Sequence, residues 1–381
     1  MERERELEIL DRVMAHRAAG NTTDMAPDMY ANPVDTYIDP GRYAIEVDQL
    51  FRGSPLVACL TADLANPGDH ITLSITDVPI LVSRGEDGIV RAFKNVCRHR
   101  GVCVVEGRGK GASTFMCPYH GWSYRLDGRL VTPTHRRGFE GVDRSALGLA
   151  EMACDETAGM VLIQIDGAQG SLDAAAWLGD IGVELAQFDF GRFHHFKTST
   201  STRSINWKLM ADTFCEQYHV RHLHHETLTT TIQSDNSLYD TYGRHGRMCT
   251  PAWSIDELDS KPREEWCVFP HVILNYMLVP NTVLLVQETF IEMFQFLPDG
   301  PDRTRSVATL YTAEPMVPEN APRLDKSFDG LLTIIDDEDY TMCEQTQRSF
   351  RSGAQSEILF GRNEPGLIHY HQSIEQMLGA P

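Results

Sequence analysis

The chain is 381 residues long, 42% hydrophobic and 23% charged, with 34 Lys and Arg against 54 Asp and Glu, a net charge of −20. That length holds two or three ordinary domains with ample core, and that charge argues against nucleic acid as a partner. No run of about eighteen apolar residues is present to span a bilayer, and Met1-Glu2-Arg3-Glu4-Arg5-Glu6 is too charged for a secretory signal, so the expected location is cytoplasmic, with no membrane.

In chain order, Glu2–Ala19 has helical character and leads into a Pro- and Asn-rich loop through Pro40. From Leu56 to about Ile165 short β-like runs follow: Leu56–Leu60, His70–Ile75, Pro79–Ser83, Ile89–Lys94, Ser113–Met116 and Met160–Ile165. Glu86-Asp87-Gly88 and Leu126-Asp127-Gly128 are hairpin-turn signals between such runs. After Gly170 the pattern is mixed. A helical stretch surrounds Ala211–Val220, β-like runs cover Val268–Leu274, Thr282–Glu288 and Arg305–Ala313, and a long helical pattern covers Arg323–Arg351. The expected class is α+β: an N-terminal helix and loop over 1–45, a small all-β domain over 46–165, and an antiparallel sheet flanked by helices over 166–381.

The all-β segment carries two metal-binding pairs, Cys97-Arg98-His99 and Cys117-Pro118-Tyr119-His120, seventeen residues apart. Two thiolates and two imidazoles close four coordination positions, the donor set of many structural zinc sites. A single residue between Cys97 and His99 is short for zinc, however, and the same donors serve a [2Fe–2S] centre in which two histidines replace two cysteines. The other seven cysteines read as buried thiols, not a disulfide framework. From Arg91 to Arg137 the net charge is +8, inside a remainder of −28.

A second candidate site lies around Asp212, Glu216 and His219, which share one face if the segment is helical. Two histidines and a carboxylate hold non-haem Fe(II) and leave positions open. Helical geometry alone would pair His219 with His222. For the carboxylate, Asp339 falls within the apolar stripe of Leu332, Ile335, Met342, Cys343 and Phe350, whereas Asp337 and Glu338 fall outside it. A core-facing carboxylate is costly unless paired or metal-bound. Asp336, on the stripe's margin, is the runner-up.

Cys97-Arg98-His99-Arg100-Gly101 and Cys117-Pro118-Tyr119-His120-Gly121-Trp122 resemble the Rieske iron–sulfur motif, and the chain from about 40 to 355 resembles the catalytic α subunit of Rieske non-haem iron oxygenases, the aromatic-ring-hydroxylating family. The resemblance implies a Rieske domain with a [2Fe–2S] cluster on Cys97, His99, Cys117 and His120, and a helix-grip catalytic domain. It also implies one Fe(II), since the family's pattern of acid, two residues, His, four residues, His fits Glu216, His219 and His224, with His222 and His225 ranked lower. Glu338-Asp339 followed by Cys343-Glu344 and Gln347 looks like the family's carboxylate helix, which implies Asp339 as third ligand. Some relatives place an Asn near the iron where Asp212 stands.

The implied chemistry is reductive: electrons from NAD(P)H, passed by a ferredoxin and/or flavin reductase, reach the cluster and then the iron, where O₂ is cleaved and oxygen enters a small organic substrate. Glu216 would join His219 to His120 of a neighbouring subunit, so a homotrimer is implied. Many members have Asp at that position, and the longer Glu is a departure seen in some quaternary-amine oxygenases. The positive window is then a docking face for an acidic electron donor, or a mate for acids of the neighbouring subunit. The apolar catalytic half favours an aromatic or alicyclic substrate, as in aromatic hydrocarbon catabolism, by mono- or dioxygenase chemistry. The alternative is N- or O-demethylation of a quaternary amine or methoxyarene, with Tyr239, Tyr242, Trp253 and Tyr276 as candidates for an aromatic cage. Rivals of another class are a Rieske electron carrier without oxygenase activity and a structural zinc protein.

Overall fold

The computed structural model describes residues 1–315, 317–319 and 321–379. They fall into two compact units. One comprises 48–178 and 188–192; the other comprises 1–47, 179–187 and the chain from 193 onward.

The smaller unit is all β apart from short helices. Its seven-stranded sheet runs in the order Leu56–Leu60, Met160–Gln164, Glu151–Thr157, Val90–Lys94, Val78–Arg84, His70–Ile75, Arg108–Gly109. A three-stranded sheet holds Phe115–Met116, Ser123–Tyr124 and Leu130–Thr132. Both expected hairpin turns form, with Gly88 and Gly128 at φ +78° and +79°, a conformation glycine adopts without a Cβ penalty. The core gathers Leu81, Phe93, Val104, Phe115, Trp122, Leu126, Leu130 and Leu149 around Cys97 and Cys117, so the thiols sit inside the hydrophobic cluster.

The larger unit is built on a seven-stranded antiparallel sheet in the order His194–Arg203, Thr304–Thr312, Phe290–Pro298, Thr282–Val286, Val272–Leu278, His245–Pro251, Leu238–Tyr242. The helices Ala321–Ile334 and Tyr340–Phe350 cover one face, tied down by Lys197 Nζ to Asp325 and Asp329, Ser201 Oγ to Asp336, and Ser306 Oγ to Tyr340. Helix Trp207–Asp212 and Phe214 share that face, Phe214 packing 4.8 Å from Phe294 and 5.6 Å from Phe296, centroid to centroid. The N-terminal helix Arg3–Ala18 docks through Arg5 on Tyr242 and Arg12 on Asp240. Among the described residues no helix is long and apolar enough to cross a membrane.

Several elements depart from the sequence reading. The loop expected through Pro40 holds the strand Tyr30–Pro33, paired with Glu357–Phe360, and the short helix Asp35–Ile38. The strands Leu238–Tyr242, His245–Pro251 and Phe290–Pro298 form where none was expected. The helix expected around Ala211–Val220 is broken: one helix ends at Asp212 and a separate single turn covers Val220–Leu223. The strand expected at Val268–Leu274 forms at Val272–Leu278, because Val268 and His271 close a turn and Pro270 has no N–H for a ladder. The long helical pattern of Arg323–Arg351 contains a π turn at Ile335–Asp339.

Candidate metal centres

The loops that carry the Cys/His pairs share one backbone scheme. Cys97 N–H donates to Val102 C=O and Gly101 N–H returns to Cys97 C=O; Cys117 N–H donates to Trp122 C=O and Gly121 N–H returns to Cys117 C=O. Each loop needs a positive φ at its glycine, +82° at Gly101 and +69° at Gly121. Asn95 braces the first loop, its Oδ1 accepting from Val104 N–H at 2.9 Å and its Nδ2 donating to Val105 C=O at 2.7 Å. The loops bring His99 and His120 to 4.6 Å between ring centroids. His99 lies flat on Trp122 at 4.9 Å, with Phe139 edge-on to both rings.

The donor set fits a [2Fe–2S] cluster. Cys97 and Cys117 are buried and free, and His99 Nδ1 is buried with no hydrogen-bond partner among the described residues. A buried nitrogen left unpaired is costly unless a metal takes its lone pair. Tyr124 adds a tuning contact: its hydroxyl accepts from Arg98 N–H at 3.0 Å, so its proton is available to Cys97 Sγ at 3.3 Å. Part of the surrounding positive charge is matched within the unit itself, Arg91 by Asp87, Lys94 by Asp166, Arg108 by Asp63 and Arg129 by Asp127.

The second centre forms in the larger unit. His219, His224 and Asp339 each offer a ligand atom within 4.8 Å of the others. Asp339 Oδ1 lies 3.3 Å from His219 Nε2 and 3.2 Å from His224 Nε2. Each imidazole is aimed by a carboxylate behind it: His219 Nδ1 is hydrogen-bonded to Glu216 Oε1, and His224 Nδ1 lies 2.6 Å from Glu338 Oε2. Glu216 Oε2 also accepts from His219 N–H at 3.1 Å, and Glu338 Oε2 from Thr227 Oγ1 at 3.1 Å. Carboxylates behind both rings fix tautomer and orientation, as at established His-ligated metals.

Charge on the trio follows from that packing. Burial acts to lower the His219 pKa, but hydrogen bonds to Asp339 and Glu216 outweigh it and raise it to about 10. His224 rises for the same reason, burial being overcome by Asp339 and Glu338. Burial works to raise Asp339, yet the two histidines hold it below the usual carboxylate range. The trio therefore stores protons that a divalent cation displaces on binding, and two imidazoles with one carboxylate are the donor set for non-haem Fe(II).

The rivals do not join. His222 and His225 are exposed. Asp336 is engaged by Ser201 and Arg203. Asp212, expected on one helical face with Glu216 and His219, is turned away where the helix ends and receives Tyr37 Oη at 2.7 Å and His371 Nε2 at 2.9 Å. Glu338 went unassigned by the apolar stripe, which placed it outward. Nor do the four aromatic candidates form a cage. Tyr242 and Tyr276 bond Glu184 beside Arg247, Tyr239 bonds His369, and Trp253 is half exposed with its Nε1 on Thr229 C=O.

The chain is similar to known proteins over most of its length. Residues 54–143 match the Rieske [2Fe-2S] domain and residues 190–380 match the ring hydroxylating alpha subunit (catalytic domain). The carnitine monooxygenase oxygenase subunit of Escherichia coli K12 is 26% identical over 367 residues, covering 91% of this chain and 93% of that one. The chloroplastic choline monooxygenase of Amaranthus tricolor is 29% identical over 371 residues, covering 93% and 79%. The crystal structure of the quaternary ammonium Rieske monooxygenase CntA in complex with L-carnitine shares the fold, with TM-score 0.79, 22% identity and coverage of 92% and 96%.

Proposed function

The chain belongs to the ring-hydroxylating alpha subunits that carry a Rieske [2Fe–2S] domain, and from that premise we propose that it oxygenates a small quaternary amine. The family makes it an oxidoreductase, the terminal oxygenase component of a Rieske system. The near full-length likeness to carnitine and choline monooxygenases carries the substrate class. Glu216, where many ring-dihydroxylating members have Asp, agrees with it. The aromatic preference drawn from the apolar catalytic half has no counterpart among these sequence relatives.

When loaded, the cluster relays single electrons and the mononuclear Fe(II) activates O₂. The protein's part is positioning. Cys97, His99, Cys117 and His120 would hold the cluster, and His219, His224 and Asp339 the iron, with Glu216 and Glu338 locking the two rings Nε2-inward. Burial of His224 and Asp339 keeps bulk water off that side, and Gln347 Oε1, accepting from Asn206 N–H at 2.9 Å, anchors the helix that precedes Glu216 to the helix that follows Asp339. We infer a cytoplasmic homotrimer in which Glu216 meets a neighbour's cluster histidine, supplied by a ferredoxin or flavin reductase; the family resemblance and the exposure of Tyr119 and Tyr218 beside the two sites support that assembly.

Oxygen insertion at a carbon bonded to the quaternary nitrogen gives a product that collapses to a tertiary amine and a carbonyl compound. The test is O₂ uptake with reductase and NAD(P)H across choline, glycine betaine, L-carnitine, benzoate and methoxybenzoates. Uptake on a trimethylammonium substrate, with equimolar amine and carbonyl product, is expected. Uptake confined to the aromatic acids overturns the substrate class.

A further inference from the structure

The sheet of the larger unit buries an acid that neither metal centre uses. Glu292 lies mid-strand in Phe290–Pro298 and is only 6% exposed. Its neighbours across the sheet are Leu285 on one side and Leu310 on the other. Alternation along the strand puts Glu292 on the face of Phe294 and Phe296, the face that Phe214 covers just before Glu216 and His219. From Phe294 it is displaced by roughly 7 Å along the strand.

Among the described residues no cation answers this carboxylate. Its one hydrogen bond comes from Gln287 Nε2 at 3.4 Å. Lys197, two strands away in the same row, commits its ammonium to Asp325 and Asp329. Burial pushes the Glu292 carboxyl up to about 7, with only the Gln287 bond opposing.

Two further acceptors on this face lack donors. Asn275, 6% exposed and in the same cross-strand row through Leu285, donates Nδ2 to Phe214 C=O at 2.7 Å while its Oδ1 is buried and unpaired. Gln217 donates Nε2 to Thr250 on the strand beyond and leaves its Oε1 likewise unpaired. Three electron-rich side chains thus lie on one sheet face, Glu292 and Asn275 two strands apart in one row and Gln217 bonded to the strand beyond, without a matching set of donors among the described residues. A trimethylammonium head suits them: it is cationic, has no N–H to demand directional bonds, and tolerates the surrounding Phe and Leu side chains.

Resting on the quaternary-amine reading, we propose that Glu292 is the counter-charge that selects the cationic head of the substrate, with Asn275 Oδ1 and Gln217 Oε1 lining the same electronegative surface. The aromatic cage sought among Tyr239, Tyr242, Trp253 and Tyr276 is thereby replaced by a carboxylate.

The test is calorimetric binding to the fully loaded protein of choline, glycine betaine and L-carnitine, and of the neutral isostere of choline in which carbon replaces nitrogen. Wild type should bind at least one cation more tightly than the isostere. Glu292→Gln should weaken that cation roughly thirtyfold or more and leave the isostere unchanged, and Glu292→Asp, which keeps the charge, should restore part of the loss. Equal loss for cation and isostere, or no loss in Glu292→Gln, overturns the assignment of Glu292 while the quaternary-amine reading stands. If Glu292→Gln does not fold, Glu292→Met, which fills the apolar surroundings without a charge, takes its place, and an unshifted preference between cation and isostere in that variant overturns the assignment equally. Wild type that binds none of the cations overturns both readings together.

Discussion

The two candidate metal cradles are built on opposite principles. In the smaller unit, four candidate ligands within one stretch of sequence are positioned by backbone hydrogen bonds that close two loops of the same design. In the larger unit the candidate ligands come from segments 115 residues apart, and their geometry depends on side chains, with Glu216 behind His219 and Glu338 behind His224. A backbone-built cradle should survive the loss of a neighbouring side chain. A side-chain-built cradle should fail in proportion to how close the lost group stands to the metal.

The sharpest test of that contrast removes the carboxylate that both histidines face. Asp339→Ala should abolish iron binding at the second centre and cut substrate-dependent O₂ uptake by roughly 10³-fold or more. The Rieske signal in electron paramagnetic resonance should be retained, since no part of that cradle is touched. Loss of both centres would mean that the cradles are not independent. Next in size, Glu216→Gln keeps a hydrogen-bonding oxygen behind His219 but removes the charge. Turnover should fall by roughly 100-fold, with the cluster still reducible by dithionite. Full turnover would remove Glu216 from both its positioning role and the electron path we infer.

The same contrast explains what was legible in the sequence. Cys97, His99, Cys117 and His120 stand in two short segments whose spacing and glycines encode the loops directly, so local pattern suffices. Asp339 was legible because a carboxylate on an apolar stripe is anomalous, and it is 5% exposed in the fold. His224 was not readable from helical geometry, which favoured His222; the helix there begins only at Val220, and the family pattern made the choice. Glu338 was missed because it falls outside the apolar stripe that singled out Asp339. In the π turn Ile335–Asp339, Glu338 meets Nδ1 and Asp339 meets Nε2 of the same ring, a pairing that the stripe does not report. The strand His194–Arg203 escaped notice because its sequence is polar and it lies at the sheet edge, where apolar alternation is not required.

Glu338 therefore supplies the next test, because it was found by structure alone. Glu338→Gln keeps the length and one acceptor, and should lower iron affinity by roughly tenfold, read as iron content after dialysis against a graded chelator. At saturating iron, turnover should recover most of its wild-type value, since Glu338 aims a ligand and Asp339 still closes the site. A loss that excess iron cannot repair would assign Glu338 a part in the reaction itself.

The smallest effect is expected at the cluster and tests the claim that backbone builds that cradle. Tyr124→Phe deletes the hydroxyl that stands 3.3 Å from Cys97 Sγ and leaves the ring, which is fully buried in the core. The loops keep their Cys97–Val102 and Cys117–Trp122 bonds, so cluster content should not change. The potential should change, because a donor to sulfur stabilises the reduced, more negative state. Losing a hydrogen bond worth about 1 kcal/mol lowers a one-electron potential by roughly 40 mV. Redox titration of the purified protein reads that shift directly. A variant that loses its cluster would show that side chains hold this cradle too, and an unshifted potential would show that the Tyr124 proton points elsewhere.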